Sequence, residues 1–198
     1  MKDAVMNFMK KHQLIKKNST VLLGVSGGAD SLALLHFYVS LQKEWQLQLI
    51  VLSMDHQLRG EQSKEDLEYV KKICEAWGVA FEGTSRNVSD YARQHRISTQ
   101  VAAREVRYQF FLEKMQKYQA DFLALGHHGD DQVETLLMGL VRSSNPSALS
   151  GIPVKRPFAS GWIVRPFLCV TKEMIYGYCK THQIMPREDP SNEDIDYT

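Results

Sequence analysis

No stretch of about 18 consecutive apolar residues occurs in the sequence, so neither a membrane-crossing helix nor a membrane partner is expected. The basic opening, residues 1–20, lacks the unbroken apolar core and the small-residue cleavage site of a secretory signal. Cysteine is scarce: Cys74, Cys169 and Cys179 form no C-x-x-C pair. That excludes a disulfide scaffold, argues against zinc held by cysteines, and fits a reducing cytoplasm, the expected location. Neither charge sign dominates, with 24 Lys+Arg against 23 Asp+Glu and a net charge of +1. Composition alone therefore points to neither a nucleic acid nor a lipid surface. There is no internal repeat and no low-complexity block. What is present is ordinary globular usage: 198 residues, 43% hydrophobic and 24% charged, enough for one domain with its own core.

Hydrophobic periodicity divides the chain into alternating strands and helices. Val5, Phe8, Met9, His12 and Ile15 recur at helical spacing, which predicts an N-terminal helix within 1–19. Apolar runs at 20–25, 47–54 and 121–126 predict buried strands, and alternation around Val79 and Phe81 predicts another, shorter one. Helices are expected over about 32–41, 61–77, 131–141, and from an N-cap at Ser98 to about Tyr118. This alternation predicts an α/β fold with an open, mostly parallel sheet and helices on both faces. Beyond Arg142 the chain is rich in Ser, Pro and Gly. Residues 143–198 read as a peripheral loop with room for a hairpin, a strand at 162–168, and a final helix capped by Thr171. The polar end, 186–198, reads as a chain cut inside a loop.

Ser26-Gly27-Gly28-Ala29-Asp30-Ser31 directly follows the first strand and opens a helix. Two glycines let backbone N–H groups converge, and the helix dipole adds positive potential, so the segment is an anion cradle suited to phosphates. The Ser26 and Ser31 hydroxyls can add donors. Neither Walker A nor G-x-G-x-x-G fits. A carboxylate beside phosphates repels them unless a cation bridges the two, so Asp30 points to Mg²⁺. Capping at a plain strand–turn–helix joint would explain Ser-Gly-Gly alone; the added Asp-Ser favours function. The pattern resembles the PP-loop of the ATP pyrophosphatase superfamily, whose members cleave ATP between the α and β phosphates and adenylate a carbonyl-type oxygen. ATP as substrate follows from that resemblance.

Asp55-His56-Gln57-Leu58-Arg59-Gly60 ends the second strand. Ligands of open α/β sheets sit outside the carboxyl ends of strands, which aims Asp55 and His56 at the same crevice as the cradle. Taken alone, the segment reads better as a surface loop with Asp55 paired to Arg59. On the long helix, Arg104 and Arg107 lie one turn apart on a shared face, followed by Tyr108. From Arg86 to Arg107 five arginines face two acids, which suits phosphate recognition, although a solvated helix face shows the same pattern. Gly126-His127-His128-Gly129-Asp130-Asp131-Gln132-Val133-Glu134-Thr135 follows the fourth strand. Asp130 and Asp131 precede Glu134 by about one turn and can share its face. N-capping is the packing explanation. Zinc lacks its H-E-x-x-H or cysteine companions and ranks below a role with Mg²⁺ and ATP.

In this order and combination the motifs resemble the tRNA(Ile)-lysidine synthetase family, over about Thr20 to Asn192. Ile163 to Phe167 and Asp189-Pro190-Ser191-Asn192 also match family segments. Arg142-Ser143-Ser144-Asn145 departs from the family's Arg-Gly-Ser-Gly. The resemblance implies an adenine nucleotide alpha hydrolase-like domain over 1–198, with C-terminal tRNA-binding domains absent from this chain. It implies a ligase that joins L-lysine to C2 of the wobble cytidine of the CAU-anticodon tRNA(Ile), through an adenylated cytidine, using ATP and Mg²⁺. A homodimer is left open. Ser26, Gly27, Gly28, Ala29, Asp30, Ser31, Asp55 and His56 are the expected nucleotide-binding residues, with Asp30 toward Mg²⁺. Arg104 and Arg107 are expected to face developing negative charge or tRNA phosphate. His128, rather than His127, is expected at the α-phosphate, because adjacent strand-end side chains point opposite ways and the family motif keeps the second position. Asp131 and Glu134 are expected to orient the lysine. The alternatives are another adenylating enzyme of the superfamily with a different acceptor, and an ATP-binding module without chemistry.

Overall fold

The computed structural model describes residues 1–142 and 150–187. Its centre is a six-stranded sheet in the order β3-β2-β1-β4-β6-β5. The strands are β1 (Thr20–Gly24), β2 (Gln48–Asp55), β3 (Ala80–Ser85), β4 (Phe122–Ala124), β5 (Lys155–Phe158) and β6 (Gly161–Val164). All neighbours pair in parallel except the β5–β6 hairpin. The helices are α1 (Lys2–Lys11), α2 (Ala29–Trp45), α3 (Glu61–Trp77), α4 (Val88–His95), α5 (Thr99–Tyr118), α6 (Gly129–Arg142) and α7 (Lys172–Thr181). Among the described residues no helix is long and apolar enough to cross a membrane.

The sheet is covered on both faces because its central strands carry unbroken apolar runs, Val21–Leu23 in β1, Leu49–Leu52 in β2 and Phe122–Ala124 in β4. In β1, Val21 and Leu23 pack among residues of α1, α2, α3 and α7, whereas Leu22 packs with Phe110, Phe111 and Met115 of α5. Strand side chains alternate between faces, so an unbroken apolar run feeds two cores at once. Full burial of one such leucine is worth about 1.5–3 kcal/mol.

Several boundaries follow local chemistry. The Ser98 hydroxyl accepts from the Val101 N–H and starts α5, and Thr171 does the same for Met174 at α7. α3 ends where Gly78 takes a left-handed φ of 66°. The strand expected at 162–168 stops at Val164, because Pro166 has no N–H for the ladder and instead opens a short 3₁₀ turn, Pro166–Cys169. The N-terminal stripe outlasts its helix: α1 ends at Lys11, yet Leu14 and Ile15 remain buried beyond it. α4, capped by Asn87 and packed through Val88, Tyr91 and Ala92, was not expected. Residues 143–149, expected as loop and carrying the Ser143–Asn145 departure, and the Asp189–Asn192 segment lie outside the described residues.

The connectivity positions the site. The chain runs outward from β1 to β2 to β3, then returns through α4 and α5 to β4 on the other side of β1. The carboxyl ends of β1 and β4 are therefore a topological switch point, where the two connections leave in opposite directions and a crevice opens.

Candidate active site

A cavity of about 290 Å³ lies at that switch point. Its floor comes from Gly24 and Val25 after β1, Leu52 and Met54 of β2, Phe111 of α5 and Leu125 after β4. Its polar wall includes Ser26, Gly28, Asp30, Ser31, His56, Arg107, Tyr108, His127 and Asp131. All four motif segments thus reach one space. Two glycines keep that space tight. A Cβ at Gly24 would lie 2.8 Å from Leu125 Cδ2, and one at Gly126 would lie 3.2 Å from the Asp30 carbonyl.

The phosphate loop owes its form to Gly27, at a φ of 95°, and to a brace supplied by Ser31. The Ser31 Oγ donates to the Gly28 carbonyl at 3.0 Å and accepts from the Ser26 N–H at 3.2 Å. The Ser31 hydroxyl thus serves the loop, while Ser31 still lines the cavity. Ala29 is buried and begins α2, so its N–H belongs to the helix's first, unpaired turn.

Asp30 stands between this loop and the acidic start of α6. Its Oδ1 is buried without a hydrogen-bond partner and lies 3.8 Å from the His128 Nε2. Burial raises its pKa above the ordinary carboxylate value, His128 opposes, and the negative Asp131 raises it further. An orphaned carboxylate oxygen in a phosphate cradle fits a hard divalent cation. Among the described residues no cluster of three or more His, Cys, Asp or Glu is arranged to hold a metal ion. A Mg²⁺ here would therefore need phosphate oxygens and water to complete its shell.

The two histidines divide as adjacent strand-end residues should, but in the opposite sense to the expectation. His127 lines the cavity. His128 is buried beneath it, its Nδ1 3.5 Å from Asp130 Oδ2 and 3.6 Å from Asp131 Oδ2. Burial pushes His127 down to about 4, helped by Arg165, Arg107 and Arg104 and opposed by Asp131. It is therefore uncharged near neutrality, with a buried Nδ1 that lacks a partner. The two aspartates also part company. Asp131 accepts from the His128 N–H at 2.8 Å, closing the first turn of α6 while still lining the cavity. Asp130 accepts from the Lys172 N–H at 2.7 Å, which caps α7 and lowers its pKa. Glu134 is exposed one turn further along α6.

Asp55 is buried at the end of β2, where its Oδ1 takes the Gln57 N–H at 2.7 Å. Arg59 pairs with Asp66, at 3.2 Å. His56 reaches the cavity wall, and burial, with Arg107 nearby, lowers its pKa. Of the two helix arginines, Arg107 lines the cavity. Arg104 lies 5.0 Å over the Tyr108 ring, with Arg156 at 5.3 Å. Tyr108 and Arg165, both inside matched segments, stand near the site without an expected role. Arg165 is buried, donates to the Pro153 carbonyl at 2.6 Å and leaves its Nε unpartnered. A buried cation beside a strand end, within Ile-Val-Arg-Pro-Phe, was the signal available.

The PP-loop domain family matches residues 1–198, the whole chain. A tRNA(Ile)-lysidine synthase of Oceanobacillus iheyensis is 48% identical over 198 residues, covering 100% of this chain and 42% of the relative. The enzyme of the same name from Bacillus cereus is 50% identical over 196 residues, covering 99% of this chain and 41% of the relative. This chain thus spans about two fifths of the length of these relatives. Among solved structures, the U34-tRNA thiolase NcsA of Methanococcus maripaludis, with its [4Fe-4S] cluster, superposes with a TM-score of 0.74 at 19% identity. That match covers 100% of this chain and 66% of the thiolase. The NH3-dependent NAD synthetase of Campylobacter jejuni superposes with a TM-score of 0.54 at 14% identity, covering 91% of this chain and 71% of the synthetase. These two likenesses speak for the fold. With the phosphate loop at the β1 switch point and a full-length family match, the chain belongs to the PP-loop domain family.

Proposed function

We propose that this chain is the ATP-using catalytic domain of a tRNA(Ile)-lysidine synthase. The reaction has two steps. O2 of the wobble cytosine attacks the ATP α-phosphorus and expels pyrophosphate. The ε-amine of L-lysine, having lost a proton, then attacks C2, and the C2–O2 bond breaks to release AMP. The observation that carries this reading is the convergence of all four motif segments on one cavity, with the orphaned Asp30 oxygen between the phosphate loop and the acidic start of α6.

The N–H groups of Gly27 to Asp30, with Ser26, bind the phosphates, and Ser31 holds the loop in shape. Asp30 would hold Mg²⁺, whose charge offsets that of the phosphates when bound. Arg107, with Arg104 behind it on Tyr108, meets negative charge on the opposite wall. His56, ordered beside Asp55, lines the nucleotide side. His127 presents an uncharged imidazole to the cavity as a hydrogen-bonding partner. His128 lies close behind Asp30, Asp130 and Asp131, and its backbone N–H holds the Asp131 carboxylate. Asp131 and Glu134 attract and orient the cationic lysine, one turn apart on α6.

The test is product release by the 198-residue chain with ATP. Pyrophosphate should appear only with a CAU-anticodon tRNA, and AMP only when L-lysine is added as well. Release of AMP without lysine, or with tRNAs of other anticodons, would point to a different acceptor.

A further inference from the structure

Arg187 lies outside the cavity yet touches the phosphate loop. Its backbone N–H donates to the Gly27 carbonyl at 3.0 Å. Its guanidinium is held by two carboxylates of α3, with Nε 2.8 Å from Asp66 Oδ1 and Nη2 3.0 Å from Glu65 Oε2. It lies 5.9 Å from the centre of the Tyr69 ring, and the Tyr69 hydroxyl donates to the Met185 carbonyl. Asp66 also receives Arg59 from the loop after β2. Residues 185–187 are thus fastened to α3 by backbone and side chain together. The Arg187 and Asp66 side chains are only 32% and 18% exposed, so this pair is shielded better than an ordinary surface pair.

Peptide geometry links that fastening to the cavity. No peptide among the described residues is cis, so the C=O of Gly27 and the N–H of Gly28 point opposite ways across one planar unit. The carbonyl points outward to Arg187. The N–H of Gly28 then points away from Arg187, and Gly28 lines the cavity. Two adjacent glycines impose little direction of their own. A flip of this peptide would replace a donor facing the phosphates with a carbonyl oxygen that repels them.

We infer that Arg187 is a positioning residue for phosphate binding: anchored to Glu65 and Asp66, it holds the Gly27 carbonyl outward and so aims the Gly28 N–H at the nucleotide. The inference rests on the ATP reading above. In the 198-residue chain, Arg187→Ala should weaken Mg²⁺–ATP binding by roughly tenfold in calorimetry, the loss of about one charge-assisted contact. It should also move the Gly28 amide resonance in the nucleotide-free protein. Arg187→Lys, which keeps a charge but loses the two-pronged geometry, should recover part of the affinity. Glu65→Gln alters only an exposed carboxylate and should produce a smaller loss in the same direction, which covers the case of an unfolded alanine variant. An Arg187→Ala protein that keeps wild-type ATP affinity overturns the inference, whether or not the Gly28 resonance moves. If the wild-type chain binds no ATP, the ATP reading fails instead, and an unmoved Gly28 resonance would separately overturn the anchoring.

Discussion

At the scale of single residues, Asp30 and His127 show function set against stability. Asp30 carries a buried, unpartnered oxygen and a raised pKa, so its charge is a cost to the folded protein. Asp30→Asn removes that charge without changing shape, and should leave the melting temperature equal or higher while abolishing Mg²⁺-dependent pyrophosphate release. Calorimetric melts beside a pyrophosphate assay check both halves. His127 titrates at about 4 in the fold against an ordinary 6.5. The unfolded chain binds the proton more readily, so stability is full above 6.5, falls with pH through this window, and levels off near 4. The ceiling on that loss is about 3 kcal/mol. Urea unfolding at pH 7 and pH 4.5 should show a clearly smaller acid loss for His127→Gln than for wild type; parallel losses would contradict it. Phosphate-loop residues were legible in the sequence because glycine, serine and aspartate at fixed spacing have few other uses. The choice between His127 and His128 was not. Alternation told that they diverge, and only the packing of Arg165 and Asp30 told which way each faces.

At the scale of elements, close approach decides which glycines tolerate a side chain. Gly126 brings the end of β4 against the start of α2, where a Cβ would lie 3.2 Å from the Asp30 carbonyl carbon and oxygen and 3.3 Å from the Ser31 N. Backbone neighbours cannot give way, so Gly126→Ala should cost about 1–3 kcal/mol. It should also weaken ATP binding, since it pushes the loop out of shape. Gly177, inside α7, has open space where its Cβ would be. Gly177→Ala should instead stabilise the fold by about 0.5–1 kcal/mol through helix propensity. Thermal melts of the pair give opposite signs if the account holds. Elements with a strong stripe or a cap, such as α3 and α5, were readable from sequence. α4 was not: its Asn87 cap and its Val88, Tyr91 and Ala92 stripe belong to a helix of only eight residues, too short for a periodic signal to stand out. The hairpin's second strand also depends on a distant partner, since a Cβ at Gly161 would lie 2.3 Å from the Asp121 carbonyl oxygen.

At the scale of the whole molecule, charge limits what these residues can hold. A net charge of +1, with 24 Lys+Arg offset by 23 Asp+Glu, gives little overall attraction to a tRNA. Several arginines are already engaged: Arg59, Arg93 and Arg187 pair with carboxylates, and Arg165 is buried. The 198-residue chain should therefore bind tRNA weakly at ~150 mM salt, where screening acts beyond about 8 Å. A chain extended to the length of its relatives should bind more tightly and with a steeper salt dependence; equal affinities in a titration of labelled tRNA would contradict this. The central claim is that the cavity between β1 and β4 carries out both adenylation and lysine transfer. Its most direct test is mass spectrometry of the anticodon fragment of a CAU-anticodon tRNA after a single turnover, with the chain in excess over tRNA and with ATP and L-lysine present. The account predicts a wobble cytidine heavier by lysine less water, formed slowly by the wild type and not at all by Asp30→Asn. An unmodified cytidine, or one that stays adenylated when lysine is supplied, would contradict it.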